Sequence, residues 1–237
     1  MMARREPEGN LPRIAVIIPA LDEEAAIGGV VREVPRDLVV QVIVVDNGSV
    51  DRTAEVAQAA GARVIPEPMR GYGAACLAGA MAARDADILV FLDGDRSDDP
   101  SELPVVVRPI LNGQADLVIG SRISGFPEEG ALTSHQRFGN RLVTRMLRLL
   151  YGLKLTDIGP FRAIGADILR DLGMEHKTYG WPVEMIVKAA KKGYRVVEVP
   201  VSCRIRIGRS KVAGTMKGSL LAGYHLLSTT LRYARRR

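Results

Sequence analysis

The chain is poor in the residues that build crosslinked or zinc-organised domains. Its 237 residues include two cysteines, Cys76 and Cys203, and three histidines that lie far apart. Two cysteines exclude a disulfide scaffold and a four-cysteine zinc site, and the histidines lack metal-ligand spacing. Low cysteine content is typical of a reducing compartment, so we expect a cytoplasmic protein.

Long hydrophobic runs are also scarce. The polar segment 1–13 lacks the apolar core of a secretory signal. The longest uncharged, mostly apolar run near the end, residues 218–231, has 14 residues, whereas a spanning helix needs about 20. We therefore expect this chain not to cross a membrane.

Acidic residues are absent from the end of the chain. The whole chain has 33 Lys and Arg against 27 Asp and Glu, a net charge of +6, and nine of the basic residues lie in the acid-free segment 204–237. The other 203 residues carry 24 basic and 27 acidic side chains, a net charge of −3. This asymmetry predicts a local anionic partner: a phosphate, a lipid headgroup or a nucleic acid. A non-catalytic nucleic-acid-binding module is the weaker reading, because the body is acidic and aromatic residues make up only 5% of the chain.

Short apolar runs alternate with amphipathic stretches through the first half. Most runs are β-branched and unalternating, as expected for strands buried on both faces. We predict strands at 14–18, 42–45, 63–65, 88–92 and 117–119, separated by helices at 22–34, 51–60, 72–84 and 100–111. Asp22 and Asp99 are the predicted N-caps of the first and last of these helices. The alternation predicts an α/β fold around a mainly parallel sheet.

The second half is expected to complete the same domain. We predict helices at 135–151 and 182–192, a strand at 196–202 and a final amphipathic helix near 215–233. The predicted organisation is a flexible N-terminus at 1–12, a catalytic domain at 13–214 and an amphipathic basic C-terminal helix at 215–237. That last helix either lies on an anionic membrane surface or packs on the domain core.

Acidic and polar clusters follow four of the predicted strands, and ligands of parallel sheets bind beyond the carboxyl ends of strands. Asp93-Gly94-Asp95 directly follows its strand. Two carboxylates one residue apart can hold Mg²⁺ from one side and leave the other to phosphate oxygens and water; the alternative is a solvated acidic turn. Asp46 can accept hydrogen bonds from a base or ribose, or cap the next turn. The dinucleotide Gly-x-Gly-x-x-Gly motif does not follow the first strand, and the Gly-x-x-x-x-Gly-Lys-Ser/Thr phosphate loop is absent.

Ordered motifs carry a family resemblance. The first half resembles the family 2 glycosyltransferases of the GT-A fold, through Pro-Ala-Leu-Asp-Glu-Glu at 19–24, Val-Asp-Asn-Gly-Ser-x-Asp-x-Thr at 45–53, Arg-Gly-x-Gly-Ala-Ala at 70–75 and Asp-Gly-Asp at 93–95. The second half is similar to the polyprenyl-phosphate sugar synthases of the dolichol-phosphate mannose synthase type, through Gly-Ser-Arg at 120–122, Arg137 with Asn140, Thr-Asp-Ile-Gly-Pro-Phe-Arg at 156–162, Glu184-Met185 and Arg-Ile-Gly-Arg-Ser-Lys at 206–211. The resemblance covers about residues 13–215 and implies a three-layer sandwich with a mainly parallel central sheet.

The resemblance also implies the roles of individual residues. It assigns Pro19, Leu21, Glu23, Asp46 and Asp93 to the nucleotide pocket, Asp93 and Asp95 to Mg²⁺ or Mn²⁺, Arg122 and Arg137 to the acceptor phosphate, and Arg206 and Lys211 to phosphates reached from a loop. The implied reaction is inverting transfer of a hexose from a nucleotide sugar, GDP-mannose or UDP-glucose, to a polyprenyl phosphate. The implied partners are that acceptor and a membrane surface or membrane protein, which would hold the enzyme at the inner face of the membrane.

The acceptor decides whether the reaction needs a general base. A departing nucleoside diphosphate gains negative charge, which a metal at Asp95 and nearby basic side chains would stabilise. A phosphate monoester, with a second pKa near ~6, is already a nucleophile at neutral pH, whereas a hydroxyl needs a positioned carboxylate. Asp157 and Glu184 are the candidate bases for the alternative function, a glycosyltransferase with a soluble or hydroxyl acceptor.

Overall fold

The structure is a computed structural model that describes residues 11–208. The predictions for Lys211, for the C-terminal helix at 215–237 and for nearly all of the flexible N-terminus lie outside the described residues. The described part contains these strands and helices in chain order: β1 Ile14–Ala20, α1 Ile27–Glu33, β2 Gln41–Asp46, α2 Thr53–Ala59, β3 Arg63–Pro66, α3 Tyr72–Ala82, β4 Ile88–Phe91, α4 Leu103–Leu111 after a 3₁₀ turn at Pro100–Glu102, β5 Leu117–Pro127, α5 Ser134–Tyr151, β6 Arg162–Gly165, α6 Ala166–Leu172, α7 Trp181–Lys191 and β7 Val196–Cys203.

All seven strands form one sheet in the order β3-β2-β1-β4-β6-β5-β7. The neighbours β3-β2, β2-β1, β1-β4 and β5-β7 are parallel, and β6 runs antiparallel between β4 and β5. The predicted mainly parallel sheet is therefore confirmed. Because β6 reverses direction, β4 and β5 point the same way, and the loops after β1, β2, β4 and β5 leave the same edge.

Helices cover both faces of the sheet, which confirms the three-layer sandwich. One apolar core joins the sheet to α3, α5, α6 and α7 and contains the fully buried Trp181. The other core joins the opposite face to α1, α2 and α4. Both faces of the central strands are buried, which explains their unbroken apolar runs. Cys76 and Cys203 are buried and unpaired.

The predicted start of the first helix was wrong, whereas the Asp99 cap is confirmed. The helix begins at Ile27 after Ala26, and Asp22 has a positive φ of 52°. The Asp22 carboxylate accepts a hydrogen bond from the Val50 amide at 2.8 Å, so it ties two strand-end loops together instead of capping. The Asp99 side chain accepts from the Ser101 amide at the 3₁₀ turn.

The sequence analysis missed β6 and α6. The strand has only four residues and begins with a fully buried arginine, Arg162. Its guanidinium donates to the backbone carbonyls of Ile158, Gly159, Pro160 and Pro182. A charged residue at the start of so short a run hides the apolar pattern that predicts a strand. Neither its burial nor its antiparallel pairing is visible in local sequence.

Candidate active site

A cavity of about 330 Å³ lies at the carboxyl edge of the sheet. Its walls come from the loops after β1, β2 and β4, the start of α3, the loop before α7 and the segment after β7. The lining residues are Pro19, Ala20, Leu21, Glu23, Asn47, Arg70, Gly71, Tyr72, Ala75, Asp93, Gly94, Asp95, Thr178, Tyr179 and Arg206. The structure thus brings Pro19, Leu21, Glu23, Asp93, Asp95 and Arg206 together, as the sequence analysis predicted.

The loop after β4 presents three carboxylates within six residues. Asp95 is 5% exposed and accepts a hydrogen bond from the Ser97 amide at 2.9 Å. Asp98 is 1% exposed, and its Oδ2 accepts from the Asp93 amide at 2.9 Å. The other oxygen of Asp98, Oδ1, is buried without a hydrogen-bond partner among the described residues. The loop therefore concentrates carboxyl groups that have little contact with solvent.

The pKa values in this loop record that crowding. Burial, and then the like charges of Asp95 and Asp98, raise the pKa of Asp93 well above its usual range, against the opposing charges of Arg206 and Arg122. Burial raises the pKa of Asp98 to about 7. A divalent cation at Asp93 and Asp95 would relieve the repulsion and favour the ionised carboxylates.

The donor set fits a hard divalent cation. Carboxylate oxygens are the ligands that Mg²⁺ and Mn²⁺ prefer, and both Asp93 and Asp95 reach the cavity. Within residues 11–208 there is no cluster of three or more His, Cys, Asp and Glu arranged to hold a metal. The protein would therefore supply two carboxylates, and the remaining positions would fall to ligand oxygens and water.

In the cavity wall that follows β2, Asn47 makes more of the stabilising hydrogen bonds than Asp46 does. Asn47 is 6% exposed; its amide group donates to the carbonyls of Glu67 and Met69, and its oxygen accepts from the Gly71 amide at 2.7 Å. Asp46 accepts from the Ser49 amide at 2.9 Å, which is the turn-capping alternative, and it is not among the cavity-lining residues. Asn47 thus fixes the loop that carries Arg70 and Gly71 into the cavity.

The opposite wall is the loop before α7, which lies directly on the start of α3. The Ala74 amide donates to the Lys177 carbonyl at 2.9 Å. A Cβ on Gly71, whose φ is 148°, would come within 2.2 Å of that carbonyl oxygen, and a Cβ on Gly73 would come equally close to the His176 carbonyl oxygen. These glycines therefore permit the contact that presents Thr178 and Tyr179 to the cavity.

Glu184 holds this loop in place, and the structure does not support it as a general base. Its side chain is fully buried; it accepts from the amides of Glu175 at 2.9 Å and His176 at 2.8 Å and pairs with Lys188 at 2.8 Å. A base must reach the proton that it abstracts. Glu184 instead fixes the backbone next to the cavity wall, so it is a positioning residue.

Asp157, the other candidate base, is also committed to structure. Its carboxylate, fully buried, accepts from the Arg122 amide at 2.9 Å, from Arg122 Nε at 2.8 Å and from Nη2 at 2.9 Å. Burial by itself would raise the pKa of Asp157, but Arg122 and the Ile158 amide outweigh it and hold the pKa below its usual range. An ion-paired carboxylate with a low pKa is a weak base, so the prediction of Asp157 as the base is not supported either.

The two arginines predicted to bind acceptor phosphate are not brought into one cavity. Arg122 is paired with Asp157 and lines neither cavity described here. Arg137 is exposed and lines a second cavity of about 300 Å³ between α5 and β5. Its other lining residues are Ile123, Asn140, Arg141, Thr144, Leu155 and Thr156. Asn140 joins α5 to the 156–158 turn by donating to the Thr156 carbonyl at 2.7 Å.

Several site residues escaped the sequence analysis. Asn47 and Arg70 lie within motifs that the sequence analysis quoted, but it did not select these two residues as part of the site. Tyr72 lines the cavity, and its hydroxyl is buried without a hydrogen-bond partner among the described residues. Thr178 and Tyr179 had no local signal, because only the folding of their loop onto α3 brings them to the cavity.

The chain belongs to glycosyl transferase family 2, whose family model matches residues 15–173. The sheet order, the strand-end acids and this match together define a glycosyltransferase with the GT-A fold.

Two relatives have names that mention a lipid phosphate. The chain is 35% identical over 204 residues to the dolichyl-phosphate hexose transferase of Haloferax volcanii, covering 84% of this chain and 86% of that protein. It is 34% identical over 224 residues to the undecaprenyl-phosphate mannosyltransferase of Micrococcus luteus, covering 87% and 90%.

A solved structure has the same fold. The glucosyl-3-phosphoglycerate synthase of Mycobacterium tuberculosis, in complex with Mn²⁺, UDP-glucose and phosphoglyceric acid, superposes with a TM-score of 0.77 at 26% identity and covers 94% of this chain and 80% of its own. That enzyme was crystallised with a small phosphorylated acid, whereas the two relatives above are named for lipid phosphates.

Proposed function

We propose that the chain transfers a hexose from a nucleoside diphosphate sugar to the phosphate of a polyprenyl phosphate, with inversion at the sugar carbon. The observation that carries the donor half of this proposal is the meeting of Asp93, Asp95 and Arg206 in one cavity at the edge of a parallel sheet. Asp93 and Asp95 would hold Mg²⁺ or Mn²⁺, which when bound stabilises the charge of the departing diphosphate. Arg206 would add a guanidinium suited to phosphate oxygens.

The nucleotide would occupy the side of the cavity formed by β1, β2 and α3. Pro19, Leu21 and Glu23 line that side together with Asn47 and Arg70. The Glu23 amide donates to Thr53 Oγ1 at 2.7 Å, which fixes the loop after β1 against α2. The contribution of these residues is to hold the donor in one orientation with its diphosphate toward Asp93 and Asp95.

A phosphate acceptor agrees with the state of the buried carboxylates. Asp157 and Glu184 are both engaged in ion pairs, whereas a phosphate monoester needs no base at neutral pH. The relatives from Haloferax volcanii and Micrococcus luteus favour a polyprenyl carrier for that phosphate.

The surface of α5 supports a lipid-borne acceptor. This helix has no acidic residue and exposes Arg137, Arg141, Arg145 and Arg148. Beside them it exposes Phe138 at 71% and Leu149 at 76%. A basic, apolar helix face is suited to an anionic lipid interface. Within residues 11–208, no helix is both long and apolar enough to cross a bilayer.

The donor half is tested by thermal-shift and calorimetric titration with GDP, UDP and their sugars, with and without Mn²⁺. We expect a Mn²⁺-dependent stabilisation by one nucleotide family that Asp95→Asn abolishes. Asp85→Asn, at an exposed aspartate away from the cavity, is the matched control and should retain it. A full Mn²⁺-dependent shift in Asp95→Asn would contradict the assigned site.

The acceptor half is tested by transfer of labelled hexose to undecaprenyl or dolichyl phosphate, with 3-phosphoglycerate as the competing acceptor. The second candidate function, transfer to a small soluble phosphorylated acid, is favoured by the superposition with the mycobacterial synthase. Label in the organic phase supports the lipid acceptor, and label confined to the aqueous phase with 3-phosphoglycerate supports the alternative.

The α5 surface is tested by sedimentation of the full chain with anionic vesicles. The pair Arg145→Glu and Leu149→Ser should weaken binding about tenfold, because each basic residue near an anionic surface contributes about 1 kcal/mol. The pair Arg108→Glu and Val105→Ser on α4 makes the same charge reversal and a similar apolar-to-polar change on another helix, and should bind like the wild type. Equal binding by both pairs would contradict a role for α5.

A further inference from the structure

The segment after β7 is fastened to the acidic loop after β4. The Arg204 amide donates to the Ser97 carbonyl and the Ile207 amide donates to the Asp95 carbonyl, both at 2.9 Å. The Arg204 guanidinium pairs with Glu33 at 2.5 Å and also contacts Asp99. Backbone and side chain therefore hold residues 204–207 along the acids.

This fastening places the Arg206 guanidinium on the carboxylate assigned to the metal. Arg206 forms an ion pair with Asp95 Oδ2, while the other oxygen, Oδ1, accepts from the Ser97 amide. Asp95 is almost buried, but the Arg206 side chain is 35% exposed. The aspartate is thus fixed, whereas the arginine has open space on its cavity side.

A guanidinium and a divalent cation cannot both occupy the face of one carboxylate without strong repulsion. In the metal-free protein the guanidinium is the counter-charge of a carboxylate that is almost buried, because Arg206 pairs directly with Asp95. When a diphosphate enters the cavity, it brings new anionic oxygens within reach of a long, flexible arginine.

We infer that Arg206 is an internal counter-cation that competes with the metal for Asp95 and transfers to the diphosphate when the metal-bound donor arrives. This inference rests on the proposed function, since it assumes that the metal enters with a nucleoside diphosphate. It makes Arg206 a binding residue that couples the two ligands. The metal alone binds weakly, and the nucleotide releases Asp95 by giving Arg206 another partner.

The test is a titration of the full chain with Mn²⁺ alone, in which electron paramagnetic resonance measures the concentration of free Mn²⁺. Arg206→Gln should bind Mn²⁺ alone about three- to tenfold more tightly than the wild type, because a partly exposed ion pair contributes on the order of 1 kcal/mol. Arg206→Lys keeps the charge and should stay close to the wild type. Arg96→Gln removes an equal charge from the loop that carries Asp95, but Arg96 pairs with Glu33 and does not line the cavity. This variant should also leave Mn²⁺ affinity unchanged.

With UDP or GDP present, the order of Mn²⁺ affinities of the wild type and Arg206→Gln should reverse. Arg206→Gln should bind the Mn²⁺–nucleotide complex more weakly than the wild type, because the diphosphate loses a cationic partner. Mn²⁺ affinity without nucleotide that is equal in wild type and Arg206→Gln, or equally raised in Arg96→Gln, would overturn the inference and leave the proposed function standing. Mn²⁺ binding that is insensitive to Asp95→Asn would remove the metal site, and both proposals would fall.

Discussion

The two halves of the sheet use charged side chains in opposite ways. At the loops after β1 and β4, charges face the cavity: Glu23, Asp93 and Asp95 line it. Around β6 and α7, charges are buried in pairs or on carbonyls: Arg122 with Asp157, Glu184 with Lys188, and Arg162 on four backbone oxygens. The same residue types therefore face an open cavity in one half and hold the backbone in the other.

This contrast teaches why residue type alone is a poor guide to role. A carboxylate at the end of a parallel strand has backbone on one side and open cavity on the other, so its charge is available to a ligand. A carboxylate inside the layer between sheet and helices must be paired, because an unpaired buried charge costs several kcal/mol. The position of neighbouring charged and polar groups therefore decides whether a carboxylate is open to a ligand or committed to holding the backbone.

The largest effect is expected from breaking the Arg122–Asp157 pair. Asp157→Asn leaves a buried guanidinium without its counter-charge, and loss of one partner from such a pair typically costs about 3–5 kcal/mol. Urea unfolding measures the loss. Asp116→Asn, which breaks the more exposed pair with Arg195, is the control and should cost clearly less. Equal losses in the two variants would mean that burial does not distinguish the pairs.

Asp95→Asn should show the opposite profile, with activity lost and stability kept. Removing a charged group that stabilises the departing diphosphate should lower kcat about 10²–10³-fold. The free energy of unfolding without metal should change little, because relief of the like-charge repulsion with Asp93 offsets the loss of the ion pair with the partly exposed Arg206. Steady-state transfer kinetics and unfolding curves of the same preparation test both statements. A variant that unfolds early but transfers normally would reverse the contrast.

The acidic loop should also make metal-free stability depend on pH. Asp98 has a folded pKa of about 7, above the ordinary value of an aspartate, so the folded state binds more protons than the unfolded state between about pH 4 and 7. Stability contributed by this group is therefore present at low pH and is lost as pH rises toward 7.

Asp98→Asn should abolish this dependence. In EDTA, the wild type should lose about 2–3 kcal/mol relative to Asp98→Asn between pH 5 and 7, because the free energy changes by up to about 1.36 kcal/mol for each of these two pH units. Comparing the two proteins cancels the titration of the groups that do not interact with Asp98. Parallel stability curves for both proteins would show that Asp98 titrates normally.

The smallest of these effects is expected from Glu184→Gln. Gln keeps the size and one acceptor oxygen but loses the charge that pairs with Lys188, so the loop carrying Thr178 and Tyr179 should loosen. We expect kcat/KM to fall about tenfold, as for the weakening of one hydrogen bond to a charged group. The pH–rate profile should keep its shape. Loss of its acidic limb would mark Glu184 as a base after all.

The alternation of strands and helices could be predicted because each central strand is buried on both faces and so repeats β-branched residues without polar interruption. The carboxylates of the proposed donor site could be predicted for the same reason, because Asp93 and Asp95 come directly after such a strand. Asp22 shows the limit of local rules. It stands where a helix cap is expected, yet its carboxylate binds the Val50 amide.

The sequence by itself determined the family, the layers of the fold and the edge at which the acids meet, because these depend on the order and periodicity of residues along the chain. Tertiary structure decided the rest. Only folding brings Thr178 onto α3, buries Glu184 and Asp157 beside their partners and places Arg206 against Asp95. The partners of Glu184 lie 4 to 9 positions away. The other roles depend on distance and burial between residues 35 to more than 100 positions apart, which no local pattern records.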